Sequence, residues 1–367
     1  MAEDTKRRHI AREEIVRICE LCTRYGHWRQ RSYWAAVRRA MRVCREYEWG
    51  VEEAFRLGLF GPGAEGSWTR YSSKKRWMDL QWRLNPRSWR PLTADKGLFY
   101  QYCQRAGVRI PQLYGVFRRG RPGWSRGDGE PQSEADWVRF FVTEVEPQFV
   151  IKPTESAYSR DVRFFERCGT GFHEAGGQRY DAAGLYALMH TAPLDSGFVI
   201  QQRLWNHPSL VAFSGTVGLQ TVRMITLVDN GVACLLHAHW KPIVGGYLID
   251  TYIEGLLGNV ESPVDLAAGT LHPGNRAMGD GEGIRSFARH PDTGRLFAGF
   301  RLPWWQEACE AVKRAAMEFL PVRTLGWDVA LTADGPVIVE ANHLYDPPNQ
   351  HGVVARLRAR LEHAAGP

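Results

Sequence analysis

Residues 326–342 read GWDVALTADGPVIVEAN, two apolar runs joined by the short segment Ala333-Asp334-Gly335. A polar turn with a glycine between two such runs predicts a β-hairpin. Closing the hairpin on a three-residue loop gives the pairs Thr332–Pro336, Ala330–Ile338 and Asp328–Glu340. Cross-strand partners project from one face, as does the residue two positions further along, so Asp328, Glu340 and Asn342 are expected to converge. A two-residue loop would instead shift the register and send Asp328 to the other face.

The polar group on this hairpin has the composition of a magnesium site. Two carboxylates and an amide oxygen face one point, whereas Ala330, Pro336 and Ile338 make the rest of that face largely apolar. Oxygen ligands suit a hard cation, and Mg²⁺ is commonly held by one or two carboxylates together with substrate phosphates. The alternative is a hairpin end with scattered polar residues, and spacing alone does not decide between the two.

An Asp on one strand and Glu-x-Asn on the next resemble the magnesium signature of the ATP-grasp superfamily. The stretch is similar in particular to the sugar-transfer-associated ATP-grasp proteins, and the similarity continues in order from about Leu92 to Asn342. The resemblance implies an α+β fold in which two subdomains enclose ATP. It divides the chain into a basic helical region (1–91), an N-terminal ATP-grasp subdomain (92–195) and a C-terminal subdomain with the hairpin (196–367). It also implies ATP and one or two Mg²⁺ as cofactors, with Asp328, Glu340 and Asn342 as metal ligands.

Several further positions match nucleotide-binding positions of that family. Lys96 would reach the phosphates, and Lys152 would hold the α-phosphate. Lys152 ends the apolar run Phe149-Val150-Ile151, where a lysine is costly unless it meets an anion. Near the adenine the resemblance places these residues: Gln201, Gln202, the backbone N–H of Leu204, and His207. A simple turn residue is an equal interpretation of His207.

The resemblance also assigns catalytic roles and a reaction. Arg223 in the segment Thr221-Val222-Arg223 would face the transferred phosphoryl group, and Lys241 would add a second cation. The implied activity is an ATP- and Mg²⁺-dependent ligase that converts a carboxylate to an acyl phosphate and joins it to an amine. The substrates would be small molecules or peptides. Two other classes stay open, namely phosphotransfer to a hydroxyl and a non-catalytic nucleotide-binding module.

Two segments depart from the family pattern. Residues 154–161 contain no glycine, although the family usually has a glycine-rich loop there that folds over the phosphates through its N–H groups. In the segment 245–258, Thr251 and Glu254 stand where Asn and Gly are common. The first departure concerns how the loop closes over ATP, and the second concerns the shape of the pocket for the acceptor substrate.

The positive charge is concentrated at the start of the chain. The net charge is +7, and residues 1–95 hold 20 Lys and Arg against 12 Asp and Glu. Within that part, aromatic and basic residues alternate between Trp68 and Arg90. Such a pattern suits stacking on a nucleic acid, or a docking surface between domains, and we favour docking. Nucleic acid is therefore an unlikely partner by this interpretation.

Two clusters contain residue types that bind metals, and both are interpreted as packing residues of the fold. Cys19 and Cys22, with His27 nearby, could form half a zinc site, but they fall on the apolar stripe of a helix and no second cysteine pair follows. His237 and His239 alternate along a strand and are interpreted as packed strand residues rather than as a metal site.

The composition predicts a cytoplasmic protein. No apolar run approaches the ~18 residues of a membrane span, and the charged start MAEDTKRRHIAREE does not resemble a secretory signal. The seven cysteines are an odd number spread over the chain and are interpreted as reduced thiols.

Overall fold

The computed structural model describes residues 9–24, 33–61, 64, 70–127, 129–155, 161–193, 197–248, 250 and 258–366. Its helices are α1 Arg12–Arg24, α2 Tyr33–Glu46, α3 Val51–Arg56, α4 Lys74–Leu84, α5 Pro91–Ala94, α6 Lys96–Arg105, α7 Glu134–Thr143, α8 Ala182–Thr191, α9 Pro208–Ser214, α10 Trp305–Glu318 and α11 Val354–Ala365. Its strands are β1 Leu113–Phe117, β2 Trp124–Ser125, β3 Gln148–Pro153, β4 Arg163–Cys168, β5 Gly171–Glu174, β6 Arg179–Tyr180, β7 Phe198–Gln202, β8 Thr221–Asp229, β9 Val232–Trp240, β10 Ser262–Pro263, β11 Gly274–Met278, β12 Gly283–Phe287, β13 Thr324–Thr332 and β14 Gly335–Asn342. Helices and strands are interspersed along the chain, and the strand pairs of both large sheets are antiparallel, so the fold is α+β as predicted.

The first sheet has seven strands in the order β2-β1-β7-β3-β4-β5-β6. Helices α7 and α8 pack against each other, and their apolar side chains join those of β1, β3 and β7 in one core cluster. Helix α7 begins at a capping box, in which Ser133 and Asp136 exchange hydrogen bonds with each other's backbone N–H. The sheet is therefore backed on one face by helices.

The second sheet has five strands in the order β10-β9-β8-β13-β14 and packs against a different set of helices. Strand β8 alternates between two cores: Val222 and Met224 join the cluster that contains α10, whereas Ile225 and Leu227 join the cluster that contains α4 and α11. Alternate residues of a strand face opposite sides, so helices cover both faces of this sheet. Arg223 shares the face of Ile225, the α4 side.

The hairpin forms, but its turn is one residue shorter than predicted. Thr332 pairs with Gly335 across the two-residue turn Ala333-Asp334, and Ala330 pairs with Val337, so the expected pairings of Thr332 with Pro336 and of Ala330 with Ile338 are wrong. A β-bulge in β14 then leaves Val339 without a cross-strand partner, and Asp328 returns to register with Glu340. Since a bulge inserts one extra residue, it cancels the one-residue shift of the shorter loop. The predicted Asp328–Glu340 pair is therefore present for a reason that the sequence analysis did not foresee.

Helix α4 is fastened to the C-terminal part of the chain by two amides one turn apart. Gln81 donates to the carbonyl of Tyr345 at 2.9 Å and accepts from its N–H at 3.1 Å. Asn85 donates to the carbonyls of Thr324 and His343 at 2.8 and 2.7 Å and accepts from the Thr324 N–H at 3.0 Å. Both amides are buried, so α4 is part of the core of the second sheet.

These contacts bear on the predicted domain limits. Helix α4 lies in the region 1–91 that the sequence assigned to a separate helical unit, whereas it packs with α11. Strand β7 lies after position 196, yet it pairs with β1 and β3 of the first sheet. The limits 91 and 196 stay predictions, and these pairings favour a division after Gln202 instead.

The N-terminal helices form a small core of their own. Helices α1, α2 and α3 contribute its buried side chains, including Ile18, Cys22 and Ala40. This placement agrees with the interpretation of Cys19 and Cys22 as helix-packing residues, and His27 lies outside the described residues. No disulfide joins any of the seven cysteines, all of which fall within the described ranges. Among the described helices, none is long and apolar enough to cross a bilayer.

Candidate active site

A cavity of about 430 Å³ lies where the two sheets and helices α4 and α6 meet. Ten of the eleven residues that the sequence analysis selected line it: Lys96, Lys152, Gln201, Gln202, Leu204, Arg223, Lys241, Asp328, Glu340 and Asn342. They come from five strands, one helix and two strand-following segments, and only the folded chain brings them together.

Asp328 is the centre of the polar wall of the cavity. Arg223 donates to it from two nitrogens, Nε to Oδ1 at 2.8 Å and Nη2 to Oδ2 at 3.1 Å, and Lys241 Nζ lies 3.2 Å from Oδ1. The register places Arg223 directly opposite Asp328 on β8. Burial opposes ionisation of Asp328, but the two cations outweigh it, and the pKa of the carboxyl lies below its ordinary value. The aspartate is therefore a buried anion held between two cations.

Asp250 completes this charge group and was not selected from the sequence. Its Oδ2 accepts from the N–H and the hydroxyl of Thr221 at 2.7 and 2.5 Å and lies 3.4 Å from Lys241 Nζ. Burial raises the pKa of Asp250 although Lys241 opposes the change. Asp250 lies in the segment 245–258, which resembles a glycine-flanked segment of the family. That resemblance was the one feature of the sequence that could have indicated a role for Asp250. Residues 251–257, which include Thr251 and Glu254, lie outside the described residues.

Glu340 and Asn342 extend the wall towards α6. The Glu340 side chain is 30% exposed, and its Oε1 lies 4.0 Å from Lys96 Nζ. Lys96 is the first residue of α6, whose start is capped by the Asp95 carboxylate, and its backbone N–H donates to the carbonyl of Thr154. Asn342 Nδ2 donates weakly, at 3.4 Å, to the Gly326 carbonyl. The donor set of two carboxylates and an amide on one wall fits a hard divalent cation.

The hairpin bulge reaches Lys152 through Tyr100. Lys152 Nζ donates to Tyr100 Oη at 2.8 Å, and Tyr100 Oη donates to the carbonyl of the bulged Val339 at 2.8 Å. Burial, reinforced by the Lys96 cation and opposed by Glu340 and Asp328, lowers the pKa of Lys152 to about 7. No carboxylate among the described residues lies within ion-pair distance of this buried ammonium group. Tyr100 was not among the residues selected from the sequence.

The wall of the cavity also contains an unsatisfied acceptor. Gln201 is 4% exposed, and its Oε1 has no hydrogen-bond partner among the described residues. Such an orphaned amide oxygen is destabilising until a donor reaches it. Gln202, next along the strand, is exposed and accepts from the Gln112 N–H at 3.2 Å. Leu204 lines the cavity.

His207 does not lie with the other selected residues. Its Nδ1 caps helix α9 by accepting from the Ser209 N–H at 3.2 Å, and it is not among the described residues that line the cavity. The geometry agrees with the alternative interpretation of His207 as a turn residue and not with a place beside a nucleotide.

Two segments that the sequence analysis discussed fall partly or wholly outside the described residues. Residues 156–160 of the glycine-free loop and Trp68 of the basic stretch are not described. In the described part of that stretch, Trp77 is fully buried in the core shared by α4 and α11, a position that agrees with the docking interpretation. Arg87 lies 4.8 Å from the ring centroid of Trp82, a cation–π contact within the chain.

Comparison with known proteins identifies the family. None of the curated proteins matches the chain. Among solved structures, the chain is similar to the ADP complex of an N5-carboxyaminoimidazole ribonucleotide synthetase, with 12% identity, a TM-score of 0.38 and coverage of 69% of this chain. VanG D-Ala:D-Ser ligase from Enterococcus faecalis follows with 14% identity, a TM-score of 0.40 and 74% coverage. D-cycloserine synthetase shows 20% identity, a TM-score of 0.36 and 75% coverage.

The aligned part spans 45% of that ribonucleotide synthetase, 62% of the D-Ala:D-Ser ligase and 71% of the D-cycloserine synthetase. The sequence of residues 75–361 matches the family described as sugar-transfer-associated ATP-grasp, and this match includes α4, both large sheets and the hairpin. The chain belongs to the sugar-transfer-associated ATP-grasp family.

Proposed function

We propose that the protein is an ATP- and Mg²⁺-dependent ligase that joins a carboxylate to an amine. The observation that carries this proposal is the charge arrangement of the cavity. Three buried lysines, Lys96, Lys152 and Lys241, and the partly buried Arg223 line it together with Asp328, Glu340 and Asp250. Cations buried at this density need anionic partners, and a bound triphosphate would provide more of them.

The chain's own residues divide the binding task. Lys96 and Lys152 would bind phosphate oxygens, and the orphaned Gln201 Oε1 would accept from the exocyclic amino group of an adenine. Asp328, Glu340 and Asn342 would hold Mg²⁺ through oxygen atoms. Gln202 would contribute its backbone rather than its side chain, which already accepts from Gln112.

ATP with its metal ion would supply the phosphoryl group that activates the carboxylate. Arg223 and Lys241 lie side by side on Asp328 and are fixed in place before any substrate binds. Preorganised cations of this kind stabilise negative charge that develops during a reaction, because they need no reorganisation at that moment. The tightly fixed pair therefore suits a role in stabilising the transferred group.

Product analysis tests the proposal directly. The protein is incubated with ATP, Mg²⁺ and panels of carboxylates, with and without amines, and ADP release is measured alongside mass spectrometry of the products. Amine-dependent ADP release with a condensed product is expected. A phosphorylated hydroxyl product would replace the ligase with a phosphotransferase, and the absence of turnover with bound ATP would indicate a nucleotide-binding module.

A further inference from the structure

Three histidines meet beside the cavity, outside the group of residues assigned to ATP and Mg²⁺. His237 and His239 lie on β9, and His351 ends the short 3₁₀-helix Asn349–His351. One ring nitrogen of each lies within 4.8 Å of those of the other two. His237 and His239 are 4% and 6% exposed, and the His351 side chain is fully buried. The sequence showed a histidine pair on one strand, and the fold adds a third from over a hundred residues away.

The closest nitrogens have the spacing of metal ligands. His237 Nε2 and His239 Nδ1 lie 3.3 Å apart. In tetrahedral zinc sites with Zn–N bonds of about 2.0–2.1 Å, two ligand nitrogens are roughly 3.3 Å apart. A hydrogen bond between two neutral imidazoles would give a similar distance, so this spacing does not decide alone.

The third histidine favours a metal. His351 Nδ1 is buried and has no hydrogen-bond partner in the described part of the chain. A packed polar cluster without an ion leaves this nitrogen unsatisfied, which is destabilising. A metal ion bound by the three rings would satisfy it.

Glu261 occupies the position of an outer carboxylate. Its Oε2 lies 3.1 Å from His351 Nε2, and its Oε1 lies 3.6 Å from His239 Nε2. Metal-binding histidines commonly present the second ring nitrogen to a carboxylate, which fixes the tautomer and the ring orientation. One carboxylate here faces the second nitrogen of two of the histidines, and the Gln350 side-chain amide also donates to it.

We propose that His237, His239 and His351 bind a transition-metal ion of the Zn²⁺ class, with Glu261 orienting two of the rings. Imidazole nitrogen suits zinc, whereas Mg²⁺ prefers oxygen, so this site differs in chemistry from the carboxylate group of the hairpin. Burial lowers the pKa of each imidazole, which keeps the rings in the neutral form that metals bind.

The proposed ion would form part of the cavity wall. His239 lies directly opposite Arg223 in the sheet, and both His239 and Glu261 line the cavity. The ion would also tie the segment of His351 to β9. The site therefore joins the C-terminal segment to the strand that directly precedes Lys241, a proposed catalytic cation.

Metal analysis of the full chain tests the proposal. Chelator-treated protein is titrated with Zn²⁺ in excess Mg²⁺, and with Co²⁺ as a spectroscopic probe. We expect stoichiometric Zn²⁺ binding, a tetrahedral Co²⁺ absorption spectrum, and a raised midpoint of thermal unfolding with Zn²⁺. His351→Gln should abolish the binding, and Glu261→Gln should weaken it by about 10- to 100-fold. His173→Gln, on β5 of the other sheet, and Glu340→Gln, on the hairpin, should leave it unchanged.

Several results would overturn the proposal. They are wild-type protein that binds no stoichiometric Zn²⁺, a Co²⁺ spectrum without tetrahedral nitrogen ligation, and equal Zn²⁺ affinity in His351→Gln. Loss of Zn²⁺ in Glu340→Gln would also contradict it, because the ion would then belong to the hairpin site. Circular dichroism shows whether each variant folds. If His351→Gln does not fold, the Zn²⁺ and Co²⁺ titrations of the wild-type protein test the proposal on their own.

Discussion

Replacing Lys152 by methionine should stabilise the ligand-free protein and weaken its binding of ATP. Methionine keeps the length of the buried side chain and removes its charge. Burial lowers the Lys152 pKa from an ordinary 10.5 to about 7. At 1.36 kcal/mol per unit, that shift corresponds to at most about 5 kcal/mol of destabilisation by the charged lysine. Loss of the hydrogen bond to Tyr100 offsets about 1–2 kcal/mol of the gain, so a net stabilisation of a few kcal/mol is expected below pH 7.

The effect of Lys152→Met on the free energy of unfolding should depend on pH. Because the pKa is lower in the folded state, the unfolded chain binds more protons between pH 7 and 10.5, and wild-type stability rises over that interval. The destabilisation is fully present below pH 7 and disappears as the pH approaches 10.5. The advantage of Lys152→Met in free energy of unfolding should therefore shrink over the same window. Urea denaturation at a series of pH values measures it.

The same substitution should weaken ATP binding by about 10- to 100-fold, the ~1.5–3 kcal/mol of a hydrogen bond to a charged group. Isothermal titration calorimetry with ATP and Mg²⁺ measures the change. Lys313→Met is the matched control, because Lys313 is exposed on α10 and pairs only with the nearby Glu310 among the described residues. Equal ATP affinity in Lys152→Met and wild type would refute the phosphate role. Lower stability of the variant at pH 6 would refute the electrostatic reasoning.

Three further changes test other parts of the structure. Glu340→Gln should abolish turnover with the fold intact, since it removes one of two carboxylates proposed for Mg²⁺; near-normal rates of ADP release would remove that assignment. Asn85→Ala should destabilise the protein by about 2–4 kcal/mol in urea denaturation, because three hydrogen bonds to buried backbone are lost. Neutralising Arg83, Arg87 and Arg90 together should leave ATP affinity unchanged and, if the surface serves the acceptor, raise the acceptor KM. The wild type should bind unrelated RNA only weakly at ~150 mM salt, and tight binding that falls steeply with salt would contradict the docking interpretation.

Local sequence signals predicted the elements of the site better than their register. The turn residues and apolar runs correctly indicated a hairpin. The turn was nonetheless one residue shorter than expected, and the bulge at Val339 restored the alignment of Asp328 with Glu340. A bulge depends on partners from elsewhere, here the hydroxyl of Tyr100. Two opposite register errors thus cancelled, which no pattern within the hairpin could show.

Residues that act through distant contacts were the ones sequence reasoning missed. Gln81 is far from Tyr345 along the chain, and its role as a clamp exists only once α4 has docked. Glu261 and His351 are separated by 90 residues and belong to segments with no motif around them. The sequence showed His237 and His239 as a pair on one strand. Two histidines without a third ligand were interpreted as packed strand residues rather than as a metal site. Contacts of this kind follow from the topology of the second sheet, so they can be identified only after folding.

Under the proposed function, the neutralisation of Asp328 would favour joint entry of a metal ion and a polyanion over entry of either alone. An incoming cation must compete with Arg223 and Lys241 for the carboxylate, and an incoming anion must compete with Asp328 for the same two cations. A pair of unit charges 4 Å apart contributes about 4 kcal/mol at an effective dielectric constant of ~20, so either exchange alone is unfavourable. When a cation and a polyanion enter together, each buried group exchanges one partner for another and no charge is left unpaired. A divalent ion bound to a triphosphate has that composition, which is the physical basis for preferring ATP with Mg²⁺ over a free metal ion at this site.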